Sequence, residues 1–173
     1  LSKKFGIRNI TSRINEHGSR IYQVNGQDLL IRGAAWTCDM MLNHSSEEDR
    51  AHIALLKNLN FNTVRLEGKL ATDEFWDLCD QEGLLVMAGW CCCSHWEKWQ
   101  KWKAGDVDVA VKSLKSQLLR LRNHPSLLCW LYGSDFAPPK PIEAQYLKVL
   151  KTLTPNLPIL SSASHHPSDL KGK

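Results

Sequence analysis

The chain has 173 residues, 43% of them apolar, with a formal charge of +4 and a pI near 8.7, enough for one domain with a real core. Its lysines are scattered among acids, so there is no basic stripe that argues for nucleic acid, and no apolar run is long enough to cross a bilayer as a helix. The opening Leu-Ser-Lys-Lys has neither a methionine nor an apolar leader and suggests a piece cut from something longer.

Residues 1–32 read as β structure. Ile7 to Ile14, Arg20 to Val24 and Asp28 to Arg32 are short runs, and Asn25-Gly26 between the last two is a hairpin signal. After Arg32 the pattern changes. Ser45 and Glu48 form a capping box opening a helix over Glu47 to Asn60, and Asn62 to Glu67 follows as a strand. Thr72 caps a helix over Asp73 to Glu82 that Gly83 stops, and Leu84 to Ala88 is the next strand. Asp106 is expected to cap a helix over Val107 to Arg122. A nearly continuous apolar strand follows, Leu127 to Tyr132, then a helix over Ile142 to Leu153 opened by Pro141, and a short strand over Pro158 to Ser161. Residues 165–173 lack periodicity and are expected to fray.

Strands and helices therefore alternate as βα units do. Counting Leu29 to Ala34 as the first, five parallel strands fit the beginning of a (β/α)8 barrel, which when complete needs about 250 residues. The expected division is 1–28 for the preceding β segment and hairpin, 29–164 for the N-terminal part of the barrel, and 165–173 for the tail. A doubly wound sheet has the same alternation, but no Gly-rich phosphate loop follows any strand, so nucleotide binding has no support. Of the six cysteines, Cys91, Cys92 and Cys93 are adjacent and cannot all join one tetrahedral site. No C-x-x-C zinc spacing occurs, so neither a metal nor a cofactor is expected, and Cys79 and Cys129 read as small core residues.

Chemistry-bearing residues recur just past the strands. Trp36 and Asp39 follow the first, Arg65 and Glu67 end the second, Trp90 and Cys91 follow the third, and Ser134 and Asp135 follow the fourth. In a parallel barrel all of these lie at one face, where aromatic rings and carboxylates together suit a sugar. Taken singly, each has a plainer explanation. Trp36 or Trp90 can be a rim core residue, Arg65 and Glu67 a structural ion pair, and Asp135 a turn cap. The run Trp90 to Trp102 holds four tryptophans among lysines and reads as a loop at a cleft rim rather than a base-stacking platform.

The segment Arg122-Asn123-His124-Pro125-Ser126, the apolar strand, Trp130 and Gly133-Ser134-Asp135 together resemble the acid/base signature of glycoside hydrolase family 2. Most of that family ends the signature in Asn-Glu; Ser-Asp is similar to the exo-β-D-glucosaminidase branch, with β-mannosidases nearby. Phe5-Gly6-Ile7-Arg8, Val24-Asn25-Gly26, Ile31-Arg32-Gly33, Asn62 to Gly68, Asp73-Glu74-Phe75 and Gly133 to Pro138 carry the same resemblance in order along the chain. It implies a (β/α)8 barrel behind β-sandwich domains of the parent chain and retaining hydrolysis of a β-linked glucosaminide or mannoside. Asp135 would be the general acid/base, and the nucleophile would be a glutamate on a later strand, beyond Lys173. Trp36, Asp39, Arg65, Glu67, Trp90, Cys91 and Ser134 are the corresponding substrate-contact candidates, and an extracellular or lysosomal/vacuolar location is implied by the resemblance alone. One position departs from the branch. Cys91 stands where a glutamate can pair with the sugar's ammonium, so either the sugar differs or Asp39 or Glu67 makes that contact. An inactive carbohydrate-binding or structural remnant is the other reading.

Overall fold

A computed structural model describes residues 5–39, 41–90, 92 and 94–171. Strands β1 (Ile10–Ile14), β2 (Arg20–Val24) and β3 (Gln27–Leu29) form an antiparallel sheet in chain order. Asn25 and Gly26 make the β2–β3 turn, both with positive φ (53° and 80°), the geometry for which Asn-Gly is favoured in a two-residue hairpin. A second sheet follows, parallel throughout and also in chain order: β4 (Gly33–Trp36), β5 (Thr63–Leu66), β6 (Leu85–Gly89), β7 (Leu127–Leu131) and β8 (Ile159–Leu160). Helices α1 (Ser46–Asn58), α2 (Asp73–Glu82), α3 (Asp106–Leu121) and α4 (Lys140–Leu153) connect these strands. The architecture is the first five strands of a (β/α)8 barrel, preceded by a small antiparallel sheet.

Several element ends shift by a few residues from the sequence reading, and three differences bear on the fold. Leu29 pairs antiparallel with Tyr22, and the parallel ladder begins only at Gly33. The apolar run Leu29-Leu30-Ile31 looks like one strand, but it is where the chain leaves one sheet for the other. Gly105, in a left-handed conformation, occupies the cap position of α3; Asp106 is the first helical residue, and its carboxylate accepts from the Lys103 amide at 2.8 Å. Finally, the tail is docked as far as it is described. Ser168 is buried, and its Oγ accepts from the Lys171 amide at 2.8 Å. Beneath the helix-side wall the Tyr132 hydroxyl donates to the buried Glu143 at 2.6 Å, which satisfies a polar pair that burial would otherwise penalise.

Side-chain alternation, broken once in β7 where Leu127 pairs with Val86 but Cys129 with Met87, divides the parallel sheet into two faces. Val64, Leu66, Val86, Ala88, Leu127, Trp130 and Tyr132 pack on the helices with Ile53, Phe75, Trp76 and Leu118. Leu85, Met87, Leu128, Cys129 and Leu131 face the barrel interior, where Ile10 and Tyr22 of the antiparallel sheet cover them. Burial in that second core pushes the Cys129 thiol up to about 12, which keeps it neutral and inert.

The N-terminal end of β7 is tied down by polar contacts. Arg8 donates to the carbonyls of Pro125 (2.8 Å) and Leu127 (3.0 Å), so the Phe5 to Arg8 segment and the Arg122 to Ser126 segment hold each other. His124 Nδ1 donates to Asp80 of α2 at 2.6 Å, and the Ser126 amide donates to the other Asp80 oxygen at 3.0 Å. Burial by itself would raise the Asp80 carboxyl, but these hydrogen bonds outweigh it and hold the group below the usual carboxylate range. The folded value lies below the unfolded one of about 3.9, so the stabilisation is full above about pH 4 and is lost as pH falls through the folded value. Asp80→Asn is expected to cost about 1–3 kcal/mol at neutral pH. It should also flatten the fall of stability on the acid side, and urea unfolding followed from about pH 2.5 to 6 measures both effects. An unchanged acid slope would show that another group carries it.

Candidate active site

Because β4 to β8 are parallel, the residues that follow them emerge at one edge. Parity then decides which face each side chain takes. Trp36 aligns with Leu66 and falls on the helix side, its ring 4.8 Å from Phe75 and 5.9 Å from His52. Trp90 continues the Val86–Ala88 row; it lies 6.5 Å from Trp130 and lines a cavity of about 310 Å³ with Leu70, Trp96, Gln117 and Arg120. Both tryptophans therefore sit in the wall of the helix layer, not with the inward polar group. Asp39 is exposed and its Oδ1 accepts from the amides of Met41 (2.8 Å) and Asn43 (3.1 Å), so it closes the loop after β4. Cys91 lies outside the described residues.

Arg65, Glu67 and Ser134 are brought together. Arg65 lies in the opposite parity from Val64 and Leu66, and its Nη2 is 3.2 Å from Glu67 Oε1. Cys92 Sγ donates to that same glutamate oxygen at 3.6 Å and accepts from Ser134 Oγ at 3.3 Å. A polar line thus crosses three strand ends, from β5 through the β6 loop to the turn after β7. Arg65 and Glu67 are about one-quarter to one-third exposed, open enough to meet a ligand and close enough to hold each other.

Asp135 is exposed, one residue beyond the buried Ser134. Its amide and that of Ser134 both donate to Glu97 Oε1, at 2.9 and 3.0 Å. Gly133 has no room for a side chain: a Cβ there would collide with the carbonyl of Phe136 and stand 2.6 Å from that of Ser161. The turn is thus folded tightly on itself and against the end of β8, where the Ala163 amide donates to the Ser134 carbonyl at 2.9 Å. Phe136, 56% exposed, stacks on His166 at 5.3 Å beside it. Sequence reading missed Cys92 and Glu97 as members of this group. Cys92 was masked by its two cysteine neighbours, and Glu97 lies in the tryptophan-rich loop far from any strand end.

Among the described residues, one grouping has the spacing of metal ligands: Asp77, Asp80 and His124, with donor atoms within 4.8 Å of one another. It belongs to the N-terminal end of the sheet, away from Asp135, and both Asp80 oxygens already accept hydrogen bonds.

A family model described as glycosyl hydrolases family 2, TIM barrel domain, matches residues 18–159. The chain is 41% identical over 176 residues to an exo-β-D-glucosaminidase of Amycolatopsis orientalis, covering 98% of this chain and 17% of that protein. A Streptomyces avermitilis protein of the same name is 42% identical over 179 residues, covering 98% and 20%. The solved structure of the Amycolatopsis orientalis exo-chitosanase superposes with a TM-score of 0.92 at 40% identity, over 98% of this chain and 21% of that one. An Asp-to-Ala variant of that enzyme is also known in complex with PNP-β-D-glucosamine. The chain thus spans about a fifth of the length of these relatives.

The crowding at Gly133 gives a direct test of how tightly the turn is built. Gly133→Ala should destabilise the chain by about 1–3 kcal/mol and displace the Ser134 and Asp135 amides, because the neighbours it meets are backbone carbonyls that cannot rotate away. Denaturant unfolding and the chemical shifts of those two amides measure it. A neutral substitution would mean the turn has slack.

Proposed function

Because the chain belongs to glycosyl hydrolase family 2, whose TIM barrel domain it matches over most of its length, we propose that it contributes the acid/base half of a retaining exo-β-glycosidase site. The observation that carries this reading is the placement of Asp135: an exposed carboxylate in a pinned turn, directly after a strand buried on both faces, at the C-terminal edge of the barrel.

In the first step Asp135 gives its proton to the glycosidic oxygen as the bond to the sugar breaks. In the second, the resulting carboxylate takes a proton from the water that attacks the glycosyl-enzyme. A retaining mechanism needs a second carboxylate about 5–5.5 Å away as nucleophile, and the family resemblance assigns it to a later strand of the complete barrel. Arg65, Glu67, Cys92 and Ser134 lie on the inward side of the same edge and suit a pyranose, with the Glu67 carboxylate accepting hydrogen bonds from sugar hydroxyls and the Arg65 guanidinium donating. The substrate class is a β-linked glucosaminide or mannoside, supported by the names of the relatives. The remaining domains of the parent chain are the partners. In a closed barrel another strand would pair with the free edge of β4, and a neighbouring helix would cover Leu55 of α1 and Leu59 at its C-terminal cap, which are more than half exposed.

Asp135→Ala in the complete enzyme should lower kcat by roughly 10²–10⁴-fold on substrates with poor leaving groups, which need the proton most. Activated aryl glycosides should still form the glycosyl-enzyme, whose slow hydrolysis azide should accelerate, yielding a β-glycosyl azide. The 173 residues alone should not turn over a chromogenic β-glycoside. Equal losses on every leaving group, with no azide product, would make Asp135 a turn cap.

A further inference from the structure

We infer that Glu97 is the positioning residue for Asp135, the group that holds the acid/base turn at the distance proton transfer requires. The inference rests on the acid/base reading of Asp135 and goes beyond it by naming what fixes that carboxylate in place.

The turn has little regular structure to hold it. β7 ends at Leu131 and α4 begins at Lys140, and the intervening residues belong to no helix or strand. Two successive amides, Ser134 and Asp135, point away from the sheet ladder and need an acceptor, the first of them on a residue only 4% exposed. One oxygen of Glu97 accepts from both, at 3.0 and 2.9 Å, although 37 and 38 residues of chain separate the partners. A single acceptor shared by adjacent amides fixes the direction of the peptide between them, and with it the Cα–Cβ direction of Asp135.

The clamp works only if Glu97 is itself held, and the loop that carries it is well anchored. Glu97 ends a short 3-10 turn (His95–Glu97) that Ser94 opens by accepting from the Trp96 amide. Trp102 Nε1 donates to the His95 carbonyl at 2.9 Å, and His95 Nε2 lies 3.2 Å from Asp106 at the start of α3. Trp96 and Trp102 meet edge to face at 5.6 Å and pack on the helix-side core. The tryptophan-rich run thereby becomes a scaffold for one carboxylate. The same loop reaches the turn a second time, through Cys92 and the Ser134 hydroxyl. Displacing a reacting group by about 1 Å can cost on the order of 100-fold in rate, so a two-point clamp on the peptide preceding the acid is what the chemistry demands.

The test compares Glu97→Ala, Glu97→Gln and Asp135→Ala in the complete enzyme across a series of β-glycosides of decreasing leaving-group quality. Glu97→Ala should lower kcat by about 10–100-fold on the poorest leaving groups and much less on activated ones, with KM changed by no more than about twofold. Glu97→Gln keeps an oxygen that can accept both amides and should recover most of the rate. A Glu97→Ala enzyme equal to wild type, a loss of the same size on every substrate, or a glutamine variant as damaged as the alanine one would overturn the inference. Amide hydrogen exchange in the 173-residue chain gives a readout independent of turnover. Glu97→Ala should speed exchange at Ser134 and Asp135 while leaving the interior of β7 protected, and unchanged exchange there would also overturn it. If Asp135→Ala shows no leaving-group dependence while the two amides do respond to Glu97, it is the acid/base reading that fails, not the clamp.

Discussion

No residue of β7 from Leu127 to Leu131 is more than 3% exposed, and its backbone is bonded to β6 on one side and β8 on the other. Neither register nor depth can change without opening the helix-side core and the interior core together. A strand so constrained is a rigid rod, and what the molecule does depends on how its two ends are finished. At the N-terminal end, Arg8, Asp80 and His124 bind the chain that enters it. At the C-terminal end Glu97 binds the chain that leaves it. A carboxylate placed four residues past a fixed strand by a pinned turn is as well located as a loop residue can be, which is the condition for a proton donor that must meet a particular oxygen.

The arrangement of elements was legible because each carries its own local signal. The Asn25-Gly26 turn, the Ser45 and Thr72 caps and the alternation after Arg32 are local chemistry, and the structure places turns, helices and parallel strands there. The side on which a residue stands was harder. Proximity to a strand end singled out Trp36 and Trp90 as readily as Arg65 and Glu67, but the count along each strand sends the first pair toward the helices and the second toward the interior. That count needs the register, and register comes from pairing, not from one strand's sequence. The β3–β4 boundary was lost for a related reason: three consecutive apolar residues, Leu29 to Ile31, give no periodicity by which to divide them.

Glu97 was illegible for a different reason. Nothing within several residues of it implies that its partner lies 38 positions later. The lysines and tryptophans around it resemble any solvated loop at a cleft rim. Only the fold brings the β6–α3 connection over the end of β7, and only then do two amides outside the strand ladder meet the Glu97 carboxylate. The accounting of backbone donors in the turn, rather than any motif, identifies the residue.

Parity along parallel strands thus divides the chain's polar and aromatic residues into two trades at the same edge. Outward residues, Trp36, Trp90 and Tyr132, join the helix layer and stiffen the wall. Inward ones, Arg65 and Glu67, together with Cys92 and Ser134 from the loops, form a continuous polar line across the ends of β5, β6 and β7, and Asp135 is the next residue of the chain after it. The loop between β6 and α3 joins the two: its tryptophans pack with the wall while Cys92 and Glu97 reach the line. Motion in that loop would therefore move the acid-bearing turn and the Glu67 carboxylate together, since Cys92 touches Glu67 and Ser134 at once. A site built this way keeps its donors and acceptors in fixed relation to one another even where the backbone around them is irregular.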